Sequence, residues 1–76
     1  MSELVQHVCQ VFVYKDDGTV VLWRNDLGYL AENEPESVDK VRRCGKQAYD
    51  FVDFGSGDTQ ERVWMCFDYY FQYENI

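Results

Sequence analysis

Two runs of β-branched and aromatic residues, separated by an Asp-Gly turn, constrain this chain more than any other feature. Leu4 to Tyr14 reads "LVQHVCQVFVY" and Thr19 to Asn25 reads "TVVLWRN", with "KDDG" between them at Lys15 to Gly18. Such runs favour extended backbone, and Asp-Gly supplies the positive φ that a tight hairpin needs. The pair predicts an antiparallel hairpin. Leu4, Val8, Phe12 and Tyr14 would lie on one side of the first strand, and Val5, Cys9, Val11 and Val13 on the other.

The remaining sequence predicts one helix and one further strand. Asp26 to Ala31, "DLGYLA", reads as a connector. Asn33 and Glu36 have the spacing of a capping box, and Pro35 is tolerated in a first helical turn. Ser37 is an alternative N-cap, with Asp39 favourable to the helix dipole. At 100° per residue, Val38, Val41, Gly45, Ala48, Tyr49 and Val52 form an apolar stripe. That pattern predicts a helix to about Phe54, ended by Gly55, although a mid-helix Gly45 costs roughly 1 kcal/mol relative to Ala. After the "GSGD" loop, Arg62 to Tyr73, "RVWMCFDYYFQY", alternates in the manner of a strand. The expected fold is a single α+β domain over residues 1–76. Its order is ββαβ, a three-stranded antiparallel sheet with one helix packed on one face.

Composition bounds the function. The chain has 76 residues, of which 46% are hydrophobic and 17% aromatic, too many for a disordered chain. A domain this small buries a modest fraction of its surface and gains from a partner, a metal or a disulfide. The net charge is −7. Such a field repels nucleic acid and anionic membranes and attracts basic protein surfaces. Direct nucleic-acid binding, which needs Lys and Arg against phosphate, is not expected. Nor is membrane insertion, because no segment approaches a membrane span in length. Three cysteines, without a basic and apolar leader, fit free thiols in a reducing compartment, so a cytoplasmic location is expected.

No motif announces chemistry. His7, Cys9, Cys44 and Cys66 are the zinc-ligand types present, but their spacing matches no structural zinc pattern. Isolated cysteines usually behave as small buried hydrophobes. His7 has no orienting partner in sequence, and the turn acids have no apolar setting to raise their pKa. No catalytic residue, metal site or cofactor is expected.

Two surfaces are expected instead. A lone helix covers one face of a sheet, which would leave Trp23, Trp64 and Tyr70 as aromatic anchors on the other. The acids Asp16, Asp17, Asp26, Glu32, Glu34 and Glu36 would rim that face. In size, acidity, absence of a catalytic motif and compact α+β layout, the chain resembles small phage-encoded anti-defence inhibitors of the anti-CRISPR type. The resemblance implies a non-enzymatic inhibitor that occupies a basic, nucleic-acid-binding surface of a host defence complex in the host cytoplasm. Two alternatives share these features. One is an assembly protein that homodimerises through the aromatic face. The other is an immunity protein for a basic nuclease toxin.

Overall fold

The structure is a computed structural model that describes residues 6–75. Leu4 and Val5, read above as the start of the first strand, lie outside them. The expected hairpin is present: β1 is Phe12–Tyr14 and β2 is Val20–Leu22. Its turn closes as the sequence requires. Gly18 takes a φ of +75° and its N–H donates to the Tyr14 carbonyl at 2.9 Å. The Asp17 carboxylate accepts from the Thr19 N–H at 2.9 Å. Phe12 faces Leu22 while Val13 faces Val20, so the register slips by one residue at Val21.

The segment read as a connector is a helix, α1, Leu27–Asn33. Asp26 caps it, its side chain accepting from the Tyr29 N–H at 3.2 Å. A 3-10 helix, Pro35–Lys40, follows directly. The long helix expected from Asn33 to Phe54 does not form. In its place are the 3-10 turn, strand β3 at Val41–Arg43, and strand β4 at Asp50–Phe54. The stripe that suggested a helix consists largely of β-branched and aromatic residues, which suit strands equally well. Gly45, with a φ of +79°, breaks the segment into two. Long-range pairing then decides. Cys44 N–H donates to the Val11 carbonyl, Cys9 N–H to the Lys46 carbonyl and Ala48 N–H to the His7 carbonyl.

The last run also divides. Strand β5 is Glu61–Met65, and from Phe67 the chain becomes helix α2, Phe67–Glu74. Phe67, Tyr70, Phe71 and Glu74 recur at i, i+3, i+4 and i+7, a helical period hidden beneath the alternation. A twelve-residue run is longer than most strands.

The three-stranded antiparallel sheet has the order β2-β1-β3, and β4 and β5 form a second, two-stranded sheet. The protein is therefore α+β with a three-stranded antiparallel sheet, but the ββαβ order and the single covering helix are replaced by this arrangement. Gln10 joins the two sheets: its N–H donates to the Trp64 carbonyl at 2.8 Å, and its side-chain oxygen accepts from the Trp64 N–H at 3.0 Å.

Both faces of β1 are covered. Phe12 packs with Leu30 and Val41 beneath α1 and the 3-10 turn. Cys9, Val11 and Val13 pack on the other side with Val63, Met65 and Cys66, closed over by Tyr69, Tyr70 and Tyr73 of α2. No face of β1 stands open, contrary to the expectation that a lone helix would leave one uncovered. The terminal helix and the second sheet supply the missing cover.

Candidate functional site

Among the described residues, Tyr49, Phe67 and Phe71 are exposed together at α2, while Val8, Leu27 and Tyr29 are exposed elsewhere. Helix α2 is aromatic on more than one side, and a single core cannot take all of its rings. Tyr69 and Tyr73, one turn apart, face inward: Trp23 lies edge-on to both, and Phe54 is edge-on to Tyr73. Phe67, Tyr70 and Phe71 fall on the side that meets Tyr49, which precedes β4. Tyr49 lies 5.2 Å from the Phe67 ring, 5.4 Å from Tyr70 and 5.7 Å from Phe71, centroid to centroid. Phe67 and Phe71 are 4.7 Å apart. Despite these contacts, Phe67 keeps 58% of its surface exposed, Tyr49 54% and Phe71 41%. Scattered surface aromatics are ordinary; four in mutual contact make an apolar patch.

Carboxylates border this patch. The Tyr70 phenol is held above its ordinary pKa first by Glu74, then by burial, then by Asp50. Glu74 lies one helical turn beyond Tyr70, and Asp50 follows Tyr49 directly in the chain. Lys46 meets Asp68 at 3.8 Å across an exposed gap.

The residues expected to form a single aromatic face are separated. Tyr70 belongs to the patch just described. Trp23 is half-buried behind α2. Trp64 is half-buried in a stack on β4 and β5, where the His7 ring lies 3.8 Å from it at 5° and Phe51 lies edge-on at 5.1 Å. The Arg62 guanidinium sits 3.9 Å from the Phe51 centroid and bonds Asp53 at 3.0 Å. This ladder of flat groups covers the outer face of the second sheet.

The acids also separate by role. Asp17 serves the hairpin turn, and the Thr19 N–H holds its carboxyl below the usual range. Asp26 caps α1 and lies 3.9 Å from Arg24. Asp16 is exposed at the same turn as Asp17. Glu32, Glu34 and Glu36 are exposed and enter no ion pair among the described residues. Asp16 and these three glutamates are the expected acids without a local structural task.

Sequence reasoning missed Tyr49, Phe67 and Phe71, because it placed Tyr49 in a helix stripe and the two Phe residues in a strand. The i, i+3, i+4 spacing from Phe67 was the available signal. The three thiols, set aside from sequence because their spacing matches no zinc pattern, do meet. Cys9 enters from the segment before β1, Cys44 from the end of β3 and Cys66 from the N-cap of α2. Their sulfurs lie within 4.8 Å of one another, with Cys44 and Cys66 at 3.8 Å. No family model, curated protein or solved structure matches this chain.

Proposed function

We propose that the protein is a non-enzymatic binding protein that docks on a basic protein surface through Tyr49, Phe67, Tyr70 and Phe71. The observation that carries this reading is the contact cluster of those four rings, in which Tyr49, Phe67 and Phe71 are exposed and Tyr70 is half-buried, with Glu74 and Asp50 nearby. Aromatic residues are the anchors that dominate binding when a partner encloses them. A surrounding negative field raises the encounter rate with a basic partner. Glu32, Glu34, Glu36 and Asp16, all exposed, add to the net negative field.

The favoured partner is a surface that ordinarily holds nucleic acid, so that docking blocks it. This inhibitor reading accords with the −7 charge and with the resemblance to anti-defence proteins of phage. An immunity protein for a basic nuclease would use the same physics on a different partner. Self-association through the patch is less favoured, because a second copy would bring Glu74 and Asp50 against like charges.

The test is capture from the native host with the intact chain and with Phe67→Asp/Phe71→Gln. The reading expects a basic partner that is lost from the double variant and whose nucleic-acid binding falls when the intact protein is added. A partner retained equally by the variant, or one whose nucleic-acid binding is unchanged, overturns it. Sedimentation showing a dimer that the double variant dissolves assigns the patch to self-association.

A further inference from the structure

We propose that Cys9, Cys44 and Cys66 form a three-thiolate site for cuprous copper, bound in trigonal coordination by their sulfurs. The site is separate from the aromatic patch and stands without the docking proposal. Its first support is geometric. A metal–thiolate bond of about 2.3 Å places three sulfurs about 4.0 Å apart around a trigonal ion. The Cys44 and Cys66 sulfurs are already 3.8 Å apart, and all three lie within 4.8 Å. Closing the set requires side-chain shifts of less than about 1 Å from a spacing dictated by that bond length.

The donor set selects the ion. Soft thiolates favour copper(I), zinc and iron–sulfur clusters among biological metals. Structural zinc is almost always four-coordinate, with nitrogen, sulfur or carboxylate in the fourth position. Here the group comprises three cysteines and, among the described residues, no His, Asp or Glu joins it. Val11, Val13, Val63 and Met65, all at 1% exposure or less, pack around the thiols. Three sulfurs in a dry apolar shell suit an ion content with three soft ligands.

Burial favours the protonated Cys9 thiol, and the backbone amides of Cys66 and Val11 oppose that only in part, so the metal itself must offset the burial of charge. Cys66 is the N-cap of α2, so that amide lies at the positive end of a helix. Arg42 donates to the Cys44 carbonyl at 3.1 Å and so fixes the backbone at that ligand. Binding exchanges three thiol protons for one Cu⁺ with no change of oxidation state. Affinity therefore rises with pH.

The test uses the reduced full-length chain under anaerobic conditions, titrated with Cu⁺ from a chromogenic cuprous chelator, with Zn²⁺ titrated in parallel. The proposal expects one copper per chain, three sulfur neighbours by X-ray absorption, and a raised thermal midpoint. Loss of an outer-shell partner typically lowers metal affinity about 10–100-fold, so Cys44→Ser, which removes a ligand at a half-buried position, should lower it by more. Copper uptake no greater than that of Cys44→Ser, a nitrogen or oxygen neighbour on the metal, or a tighter four-coordinate zinc complex would each overturn the assignment.

Discussion

The Tyr69 hydroxyl donates to the Gly18 carbonyl at 2.7 Å, joining helix α2 to the β1–β2 turn across 51 residues of chain. This bond fixes the helix over the core that holds Val11, Val13 and the three thiols. Around it, Trp23 and Tyr73 complete an aromatic lid.

Tyr69→Phe keeps the ring and removes the bond. It leaves the part-buried Gly18 carbonyl without that donor, so the loss should be about 1 kcal/mol. Urea unfolding of the variant should show a lower midpoint with an unchanged slope. An unchanged midpoint would mean that the bond contributes nothing net.

Gly55 occupies a φ of +80°, and a Cβ there would approach the Thr59 carbonyl oxygen to 2.5 Å. Both the backbone conformation and the space exclude a side chain. Gly55→Ala should therefore destabilise by about 1–3 kcal/mol. Gly57→Ala provides the comparison: it shares a positive φ but meets nothing within 4 Å, so it should cost less.

Burial pushes the Cys9 thiol up from 9.0 to about 12. Between these values the unfolded chain loses this proton and the native chain keeps it. Stability from this group is complete below pH 9.0 and is lost as pH rises toward about 12. The thermal midpoint of the metal-free protein should fall steadily through that alkaline window. Cys9→Ala, compared with its own neutral-pH midpoint, should show a shallower fall.

Trp64 is held by His7 and Phe51 of its own chain. Trp64→Ala should shift the His7 ring proton resonances downfield by removing the stacked indole, while sedimentation behaviour stays unchanged. A change in oligomeric state without a change at His7 would assign Trp64 to an interface between copies.

Phe67 is the first residue of α2 and 58% exposed. Phe67→Asp places a carboxylate at a helix N-terminus, where the dipole favours it. Its stability should stay within about 0.5 kcal/mol of the parent. Partner binding, by contrast, should be lost. Calorimetry on the free protein and binding measured side by side separate these effects.

Local signals in the chain carry the hairpin. The β1–β2 hairpin and the positive φ of Gly18 follow from the Asp-Gly turn and its flanking runs. The facing of Cys9, Val11 and Val13 follows from a period of two. These signals work because neighbours in sequence alone produce them. The segment from Val38 to Phe54 carried a helical period, but its Val, Tyr and Phe residues suit strands equally well. There, pairing of residues 44–48 with residues 7–11 decided the outcome, a contact with no trace in local spacing. The final run divided after Met65 because α2 was needed over the core formed by residues far upstream.

The sequence by itself determined the composition of the surface field, the hairpin and the surplus of rings over what one small core can hold. The tertiary structure alone decided which rings were left outside and which thiols came together. Cys44 and Cys66 are 22 residues apart in the chain and 3.8 Å apart in space. Proximity of that kind arises from the packing of separate elements, whose energy depends on distant surfaces fitting, and no periodicity in the chain encodes it.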